Sequence, residues 1–428
     1  IKKPATSGYE DAPVVMLQGH MDMVCEKRAG VEHDFEKDGL DLIIRDGRLT
    51  ANGTTLGGDN GVAVALMLMV LDDDEIEHPP VECVFTTEEE VGLNGAKALD
   101  KSVLKARTMI NMDSEDEGVA TVSCAGGLRV QFTKEIKRTT VQGSLLTLKV
   151  EGLLGGHSGQ DIDKERQNAD LLMARMIQRL LKETKGQLVS FNGGTKDNAI
   201  PRECEASLIY ESDEEAAKAE ELACELAETY AEELTPAEPD FSCEISCETN
   251  RTAEAIPQDA AKEFICAMRL APNGIQKRNI KMDGFVVVSL NLGVVRTEED
   301  RIVMIFSPRS SVASLQEDTK ERLNTLAETF GFTVSHSSEY PGWSFKEDSP
   351  VREICKESYK ELFGEDLKIE AIHAGLECGL FSDAIKGLDA IAIGPTIANC
   401  HTPDEYLTLD SFERFYEFLK DILSRLAK

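Results

Sequence analysis

Between residues 13 and 122, short apolar runs alternate with helix-spaced stretches. Val14 to Leu17 reads as a strand leading into His20-Met21-Asp22, and the turn Asp59-Asn60-Gly61 opens an apolar helix, VAVALMLMVL. VECVFTT is the next strand, a glycine-punctuated helix follows near Asn94–Leu99, and TMINMD is a further strand. Buried strands of this kind alternating with helices predict βαβ units, hence an α/β fold with a mostly parallel sheet and helices on both faces.

From about Gly127 the pattern changes to longer strands and long helices. LLTLKVEGL is a strand, QNADLLMARMIQRLLK a helix with apolar residues three and four apart, ECEASLIYE a strand, and EEAAKAEELACELAETYAEEL an acidic amphipathic helix. FVVVSLNLGVV, IVMIF, a helix over VASLQEDTKERLNTLAETF and the strand FTVSHSS repeat part of that plan, which suggests two similar α+β subdomains. After Trp343 the βα style returns, with a helix at 351–363, the strand LDAIAIG and a last helix carrying Phe412, Phe415, Leu419, Ile422 and Leu426 on one face. The simplest architecture is one α/β domain, 1–126 with 344–428, interrupted by an α+β insertion at 127–343.

Composition narrows the function classes. At 428 residues the chain exceeds what one core usually accommodates, in keeping with two domains. With 46 basic against 78 acidic side chains the net charge is −32, which argues against nucleic acid and anionic membranes as partners, since both need basic patches. No run approaches the ~20 apolar residues of a membrane helix. The eleven cysteines lie mostly in apolar runs, as at Cys83, Cys266 and Cys355, without a CxxC pair. A reduced, cytoplasmic setting is therefore expected, with Cys243 and Cys247 as core or edge residues of one strand. The sequence opens at Ile1 and enters its first strand by Val14, so an upstream segment is expected.

Five residues with good ligand chemistry, His20, Asp59, Glu90, Asp113 and His401, each lie just past an apolar run ending in Gly, Asp or Asn. In open α/β sheets ligands bind at the carboxyl ends of strands, so one crevice can collect all five. Two imidazoles and three carboxylates suit two Zn²⁺ ions, with Mn²⁺ or Co²⁺ as alternatives, better than one ion, and one carboxylate must then bridge. Taken singly, each has a plain reading: His20 as an ordinary hydrogen-bonded residue, Asp59 as a helix cap, Glu88 to Glu90 as a solvated turn, Asp113 as the start of an acidic loop, His401 as structural. Adjacent glutamates also permit a division of labour, one ligating metal and the other moving a proton. Asp22, two residues past His20, is placed to orient the imidazole. In the insertion, His157 in GGHSG, Asn198 in DNAIPRE and Arg309 in FSPRSS are candidates to meet substrate.

In order along the chain, HMD, GGDNG, EE, MDSE, GGHSG, NAIPRE, HAGLECG and CHTPDE resemble the di-zinc aminoacylase/carboxypeptidase-G metallopeptidase clan. HAGLECGLF with Pro341-Gly342-Trp343 is similar to its aminoacyl-histidine dipeptidase branch, also called Xaa-His dipeptidases. That resemblance covers nearly the whole chain and implies dipeptide hydrolysis by a water shared between two zinc ions. His20 and Asp113 would hold one ion, Glu90 and His401 the other, and Asp59 would bridge. Glu89 would be the general base, Asp22 would orient His20, and His157, Asn198 and Arg309 would act from a lid. Short peptides, chiefly dipeptides, are the implied partners, and a homodimer is compatible with the family. Two departures stand: the family carries a helix and strand before the position of Ile1, and has Asp where this chain has Glu88. An N-acyl amino-acid deacylase on the same metal pair, or a non-catalytic peptide binder, are the alternative readings.

Overall fold

The structure is a computed structural model that describes residues 1–280 and 284–428. The chain divides into two compact units, Ile1–Ala125 with Pro341–Lys428, and Gly126–Tyr340.

The first unit is built on a seven-stranded sheet whose centre is parallel. Val15–His20, buried throughout, runs parallel to Val81–Thr86 on one side and to Thr108–Asn111 on the other, and Thr108–Asn111 runs parallel to Asp389–Ala392. Lys2–Lys3 adds antiparallel to Val81–Thr86, and beyond Asp389–Ala392 come Val119–Cys124 and Lys368–Ile372. Successive residues of a strand face opposite sides. Gly19 faces the helix Gly58–Asp72, so closely that a Cβ on it would lie 2.3 Å from that of Ala63, while Gln18 faces the helix Glu377–Ala384 through Glu377. Helices therefore cover both faces, as an all-apolar parallel core requires.

A small antiparallel sheet joins Leu42–Arg45, Arg48–Ala51, Tyr406–Thr408 and Ile397–Ala398. Its hairpin turns on Asp46-Gly47, with φ of 51° and 71°, the Asp-Gly chemistry of a two-residue turn. IIRDGRLT carries that signal, and the apolar-run reading passed over it because only one of its faces is covered.

The second unit is α+β. Among the described residues a nine-stranded antiparallel sheet carries the helices Ala169–Glu183, Asp213–Leu234, Gln258–Leu270 and Ala313–Thr329. Their apolar faces share one buried cluster, including Phe132, Phe191, Phe264 and Phe306. The similar stretches before and after residue 285 enter this same sheet, since Phe285–Thr297 meets Gln187–Gly193 at Val295 and Gly193. The strand Ser242–Ala255, an edge strand with mostly exposed side chains, is longer than the alternating stretch around Cys243 and Cys247 indicates, and the helix Gln258–Leu270 follows it. Cys243 and Cys247 are half-buried on that edge strand, and none of the eleven cysteines forms a disulfide. No helix among the described residues is long and apolar enough to cross a membrane.

Candidate metal centre

Three parallel strands point their carboxyl ends at one place, and the side chains that end or follow them meet there. His20 is the last residue of Val15–His20, Glu88 to Glu90 follow Val81–Thr86, and Asp113 follows Thr108–Asn111. Asp59 comes from the start of the helix Gly58–Asp72, where the Asp59-Asn60 peptide is cis and both residues depart from helical geometry. His401 comes from the loop between two strands of the small sheet and holds a left-handed backbone with φ 64°, unusual for a residue with a Cβ.

The five ligand candidates form two groups sharing one carboxylate. Asp59 Oδ1 is 3.1 Å from His20 Nε2, which is 3.4 Å from Asp113 Oδ1. Asp59 Oδ2 is 3.1 Å from His401 Nε2, which is 3.1 Å from Glu90 Oε1. The two Asp59 oxygens are divided between the two imidazoles, an arrangement suited to a bridging ligand. Ligand atoms of His20, Asp59 and Glu90 also lie within 4.8 Å of one another, as do those of Asp59, Glu115 and Cys400.

Supporting groups fix this constellation. His20 Nδ1 lies 2.9 Å from the main-chain oxygen of Asp22, which sets Nδ1 as the donor and turns Nε2 toward the carboxylates. The Asp22 carboxylate is 3.6 Å from that nitrogen, and its oxygens accept the N–H groups of Glu89 and Glu90 at 3.1 Å each. Asp22 thus anchors the turn that presents both glutamates. Glu88, with φ 55°, accepts from Asn94 Nδ2 at 3.1 Å within the same turn.

Two buried glutamates were not singled out from the sequence. Glu405 accepts the N–H groups of Leu56, Gly57, Gly58 and Asp59 at 2.7, 3.0, 2.8 and 3.2 Å, holding the loop that aims Asp59. Glu377 accepts from Thr86 Oγ1 at 2.6 Å and from Gln18 Nε2, while Gln18 accepts from Asn111 Nδ2 at 2.7 Å. That network ties together the three strands that deliver His20, the glutamates and Asp113. Both glutamates sit in the quoted motifs CHTPDE and HAGLECG, but nothing in their local sequence tells a buried acceptor from a loop carboxylate.

The electrostatics follow from crowding. Burial disfavours charge on His20, yet hydrogen bonds to Asp113 and Asp59 outweigh it and push its pKa up to about 12. The same two kinds of partner, Asp59 and Glu90, raise His401 to about 10. Burial, then the negative charge of Asp113, raises Glu89 to about 8. Three carboxylates facing two imidazoles call for positive charge, and the mixed nitrogen and oxygen donor set fits two divalent ions of the zinc class.

The second unit gathers the other three candidates. His157 pairs with Ala199 in a two-stranded ribbon, and the N–H of Ser158 donates to the main-chain oxygen of Asn198 at 2.8 Å. His157 Nδ1 accepts from the N–H of Gly159 and Gln160 at 3.3 and 3.0 Å, which places the proton on Nε2. Burial first, and the charge of Arg309 second, lower its pKa. The imidazole is therefore a neutral Nε2–H donor. Arg309 is itself buried, with Nη1 donating to the Tyr340 hydroxyl at 3.0 Å.

The chain is similar to known proteins along nearly its whole length. The sequence profile of peptidase family M20/M25/M40 matches residues 16–425. The cytosol non-specific dipeptidase of Escherichia coli K12 is 35% identical over 432 residues, covering 100% of this chain and 88% of that protein. The crystal structure of aminoacylhistidine dipeptidase from Vibrio alginolyticus superposes with a TM-score of 0.93 at 36% identity, covering 99% of this chain and 87% of that one. An M20 family metallo-carboxypeptidase from Sulfolobus solfataricus shares the fold at TM-score 0.52 and 14% identity, over 100% of this chain and 87% of that one.

Proposed function

The chain belongs to peptidase family M20/M25/M40, and from that premise we propose that it is a metal-dependent dipeptidase, of Xaa-His or broad specificity. The observation that carries this reading is the division of the Asp59 oxygens between His20 with Asp113 and His401 with Glu90, beside Glu89, which belongs to neither group. Full-length likeness to two proteins named as dipeptidases supports the substrate class. The E. coli relative is named for the cytosol, and we assign this chain to the cytoplasm by the same likeness.

His20, Asp113, Asp59, Glu90 and His401 would hold two ions, Zn²⁺ by donor chemistry and Mn²⁺ or Co²⁺ by substitution. Once bound, such ions polarise a scissile carbonyl and make an attacking water more acidic. Glu89 takes the proton of that water and returns it to the leaving amine. A carboxylate raised toward the working pH suits both halves of that task. Asp22 keeps Glu89 at its station through the main-chain N–H it accepts. The His157 Nε2–H stabilises the oxyanion, Asn198 meets the substrate main chain, and the Arg309 guanidinium takes the C-terminal carboxylate, which would restrict the enzyme to short peptides.

Turnover of a dipeptide panel beside N-acetyl amino acids, before and after chelation and zinc reloading, tests the reading. Dipeptide cleavage that is lost on chelation and restored by metal is expected. Faster release of acetate from N-acetyl amino acids would make the chain a deacylase, and no turnover of either with two ions bound would leave a peptide binder.

A further inference from the structure

Arg309, Gly127 and Tyr340 stand in one row across three neighbouring strands. Arg309 is paired opposite Gly127, and Gly127 is paired opposite Tyr340, the last residue of its strand. Residues directly opposite one another project from the same face of a sheet. Neighbouring strands lie about 4.8 Å apart, so the backbones of Arg309 and Tyr340 are separated by about 10 Å. Side chains at that spacing meet only over a middle position without bulk.

Gly127 supplies that clearance. A Cβ there would fall 2.8 Å from the Tyr340 hydroxyl and 2.9 Å from its Cζ. Gly127 is absent from the positive-φ positions, so open space rather than backbone freedom is what the glycine provides. The tyrosine ring lies across it, and the hydroxyl accepts from Arg309 Nη1 at 3.0 Å.

Arg309 is only 7% exposed, its Nε has no hydrogen-bond partner, and it makes no ion pair among the described residues. A buried guanidinium held at one Nη still has a planar set of donors unspent, and a carboxylate satisfies two of them at once. One neutral hydroxyl fixes the fork without neutralising it, whereas an acidic partner would compete with the substrate.

We infer that Tyr340 is a positioning residue that sets Arg309 for the C-terminal carboxylate of the substrate, and that Gly127 is the clearance through which it acts. The inference rests on the reading of Arg309 as the carboxylate-binding group. It makes specificity for a free C terminus depend on a residue that need not touch the peptide.

The test uses the metal-loaded full chain with Tyr340→Phe, Gly127→Ala and Arg309→Ala. Each is assayed for KM and kcat on a cleaved dipeptide, for inhibition by the same dipeptide as its C-terminal amide, and for metal content and Tm. Tyr340→Phe should raise KM roughly 3–10-fold, the worth of one such hydrogen bond, with kcat within about twofold and the amide inhibition constant unmoved. Gly127→Ala, which pushes the ring away, should move KM the same way. If Arg309→Ala abolishes the preference for acid over amide while Tyr340→Phe leaves it intact, Tyr340 has no such role and Arg309 keeps its own. A preference unmoved by Arg309→Ala removes the Arg309 reading and the inference with it. Equal weakening of acid and amide in Tyr340→Phe, or loss of kcat with a lowered Tm, would mark the tyrosine as merely structural.

Discussion

In the parallel-sheet unit four carboxylates around the site keep company: Asp22 and Glu405 accept main-chain N–H groups, while Asp59 and Glu90 meet imidazoles. In the antiparallel unit Asp170 is fully buried, yet neither of its oxygens meets an N–H or O–H donor among the described residues, and the weakly donating Cys204 thiol is what faces it. Burial raises its pKa to about 8, with the Cys204 thiol and the Arg296 charge only partly offsetting it. The difference is one of use. A parallel sheet converges several strand ends on one crevice, where negative charge can be concentrated for cations. An antiparallel sheet spreads its polar residues along rows, where a lone buried carboxyl persists by staying neutral.

The strongest test of the first half removes the shared ligand. Asp59→Ala should lose both ions, from about two per chain to none, because each group of ligands loses the same member. Activity should then fall by about 10⁴-fold or more, as when a concerted catalytic unit loses one part. Elemental analysis of the purified variant decides it: one ion retained would mean that the two groups are independent.

Within the same unit, Glu89→Gln separates proton transfer from metal binding. Metal content should stay at the wild-type value while kcat falls about 10²–10⁴-fold, the usual span for a general base. Glu90→Gln should do the reverse, weakening metal. If Glu89→Gln proved to be the variant that loses metal, the two roles would have to be exchanged.

Much of the first unit was legible in the sequence, and for a physical reason. His20, Glu90, Asp113 and His401 follow apolar or glycine-marked runs, and the run itself identifies a buried strand whose end must carry the chemistry. The edges of both units were harder. The Asp46-Gly47 hairpin and the strand Ser242–Ala255 expose most of their side chains, so the period of burial that marks a strand is faint. Arg309 and Tyr340 were harder still, because their meeting depends on the register of three strands and on the empty position at Gly127. No spacing along the chain encodes that row. His157 was visible through the glycines around it, but its Nε2–H tautomer depends on two N–H groups that only the folded turn supplies.

Asp170 sharpens the second half of the comparison through pH. In the unfolded chain this carboxyl ionises near its ordinary value, about 4. Folded, it stays protonated up to about pH 8. The folded state therefore binds the extra proton between those values, so this group's contribution to stability is greatest below about pH 4 and falls as pH rises toward 8, with a slope of at most about 1.4 kcal/mol per unit. Asp170→Asn, which cannot ionise, should remove that slope and gain on the wild type by a few kcal/mol between pH 5 and 8. Urea unfolding at several pH values measures it, and parallel curves for the two proteins would show that Asp170 is already ionised in the fold.

The smallest effect expected is at Glu405, and it asks how far the first unit depends on main-chain capture. Both oxygens are used twice, Oε2 by Leu56 and Gly57 and Oε1 by Gly58 and Asp59, and a Cβ on Gly58 would come within 3.2 Å of Oε1. An amide offers one acceptor oxygen and turns an NH₂ toward the remaining N–H donors. Glu405→Gln should therefore loosen the loop that aims Asp59 without removing any ligand, and lower metal affinity about 10–100-fold, the range for groups that orient ligands. At saturating metal, kcat should return toward the wild type, because Glu89 and its Asp22 anchor are untouched. Competition against a chelator of known affinity gives the first number and kinetics in excess metal the second. Wild-type affinity in Glu405→Gln would mean that the glycine-rich loop holds Asp59 by its own geometry. A kcat that stayed low at saturation would mean that the loop positions more than the bridging carboxylate.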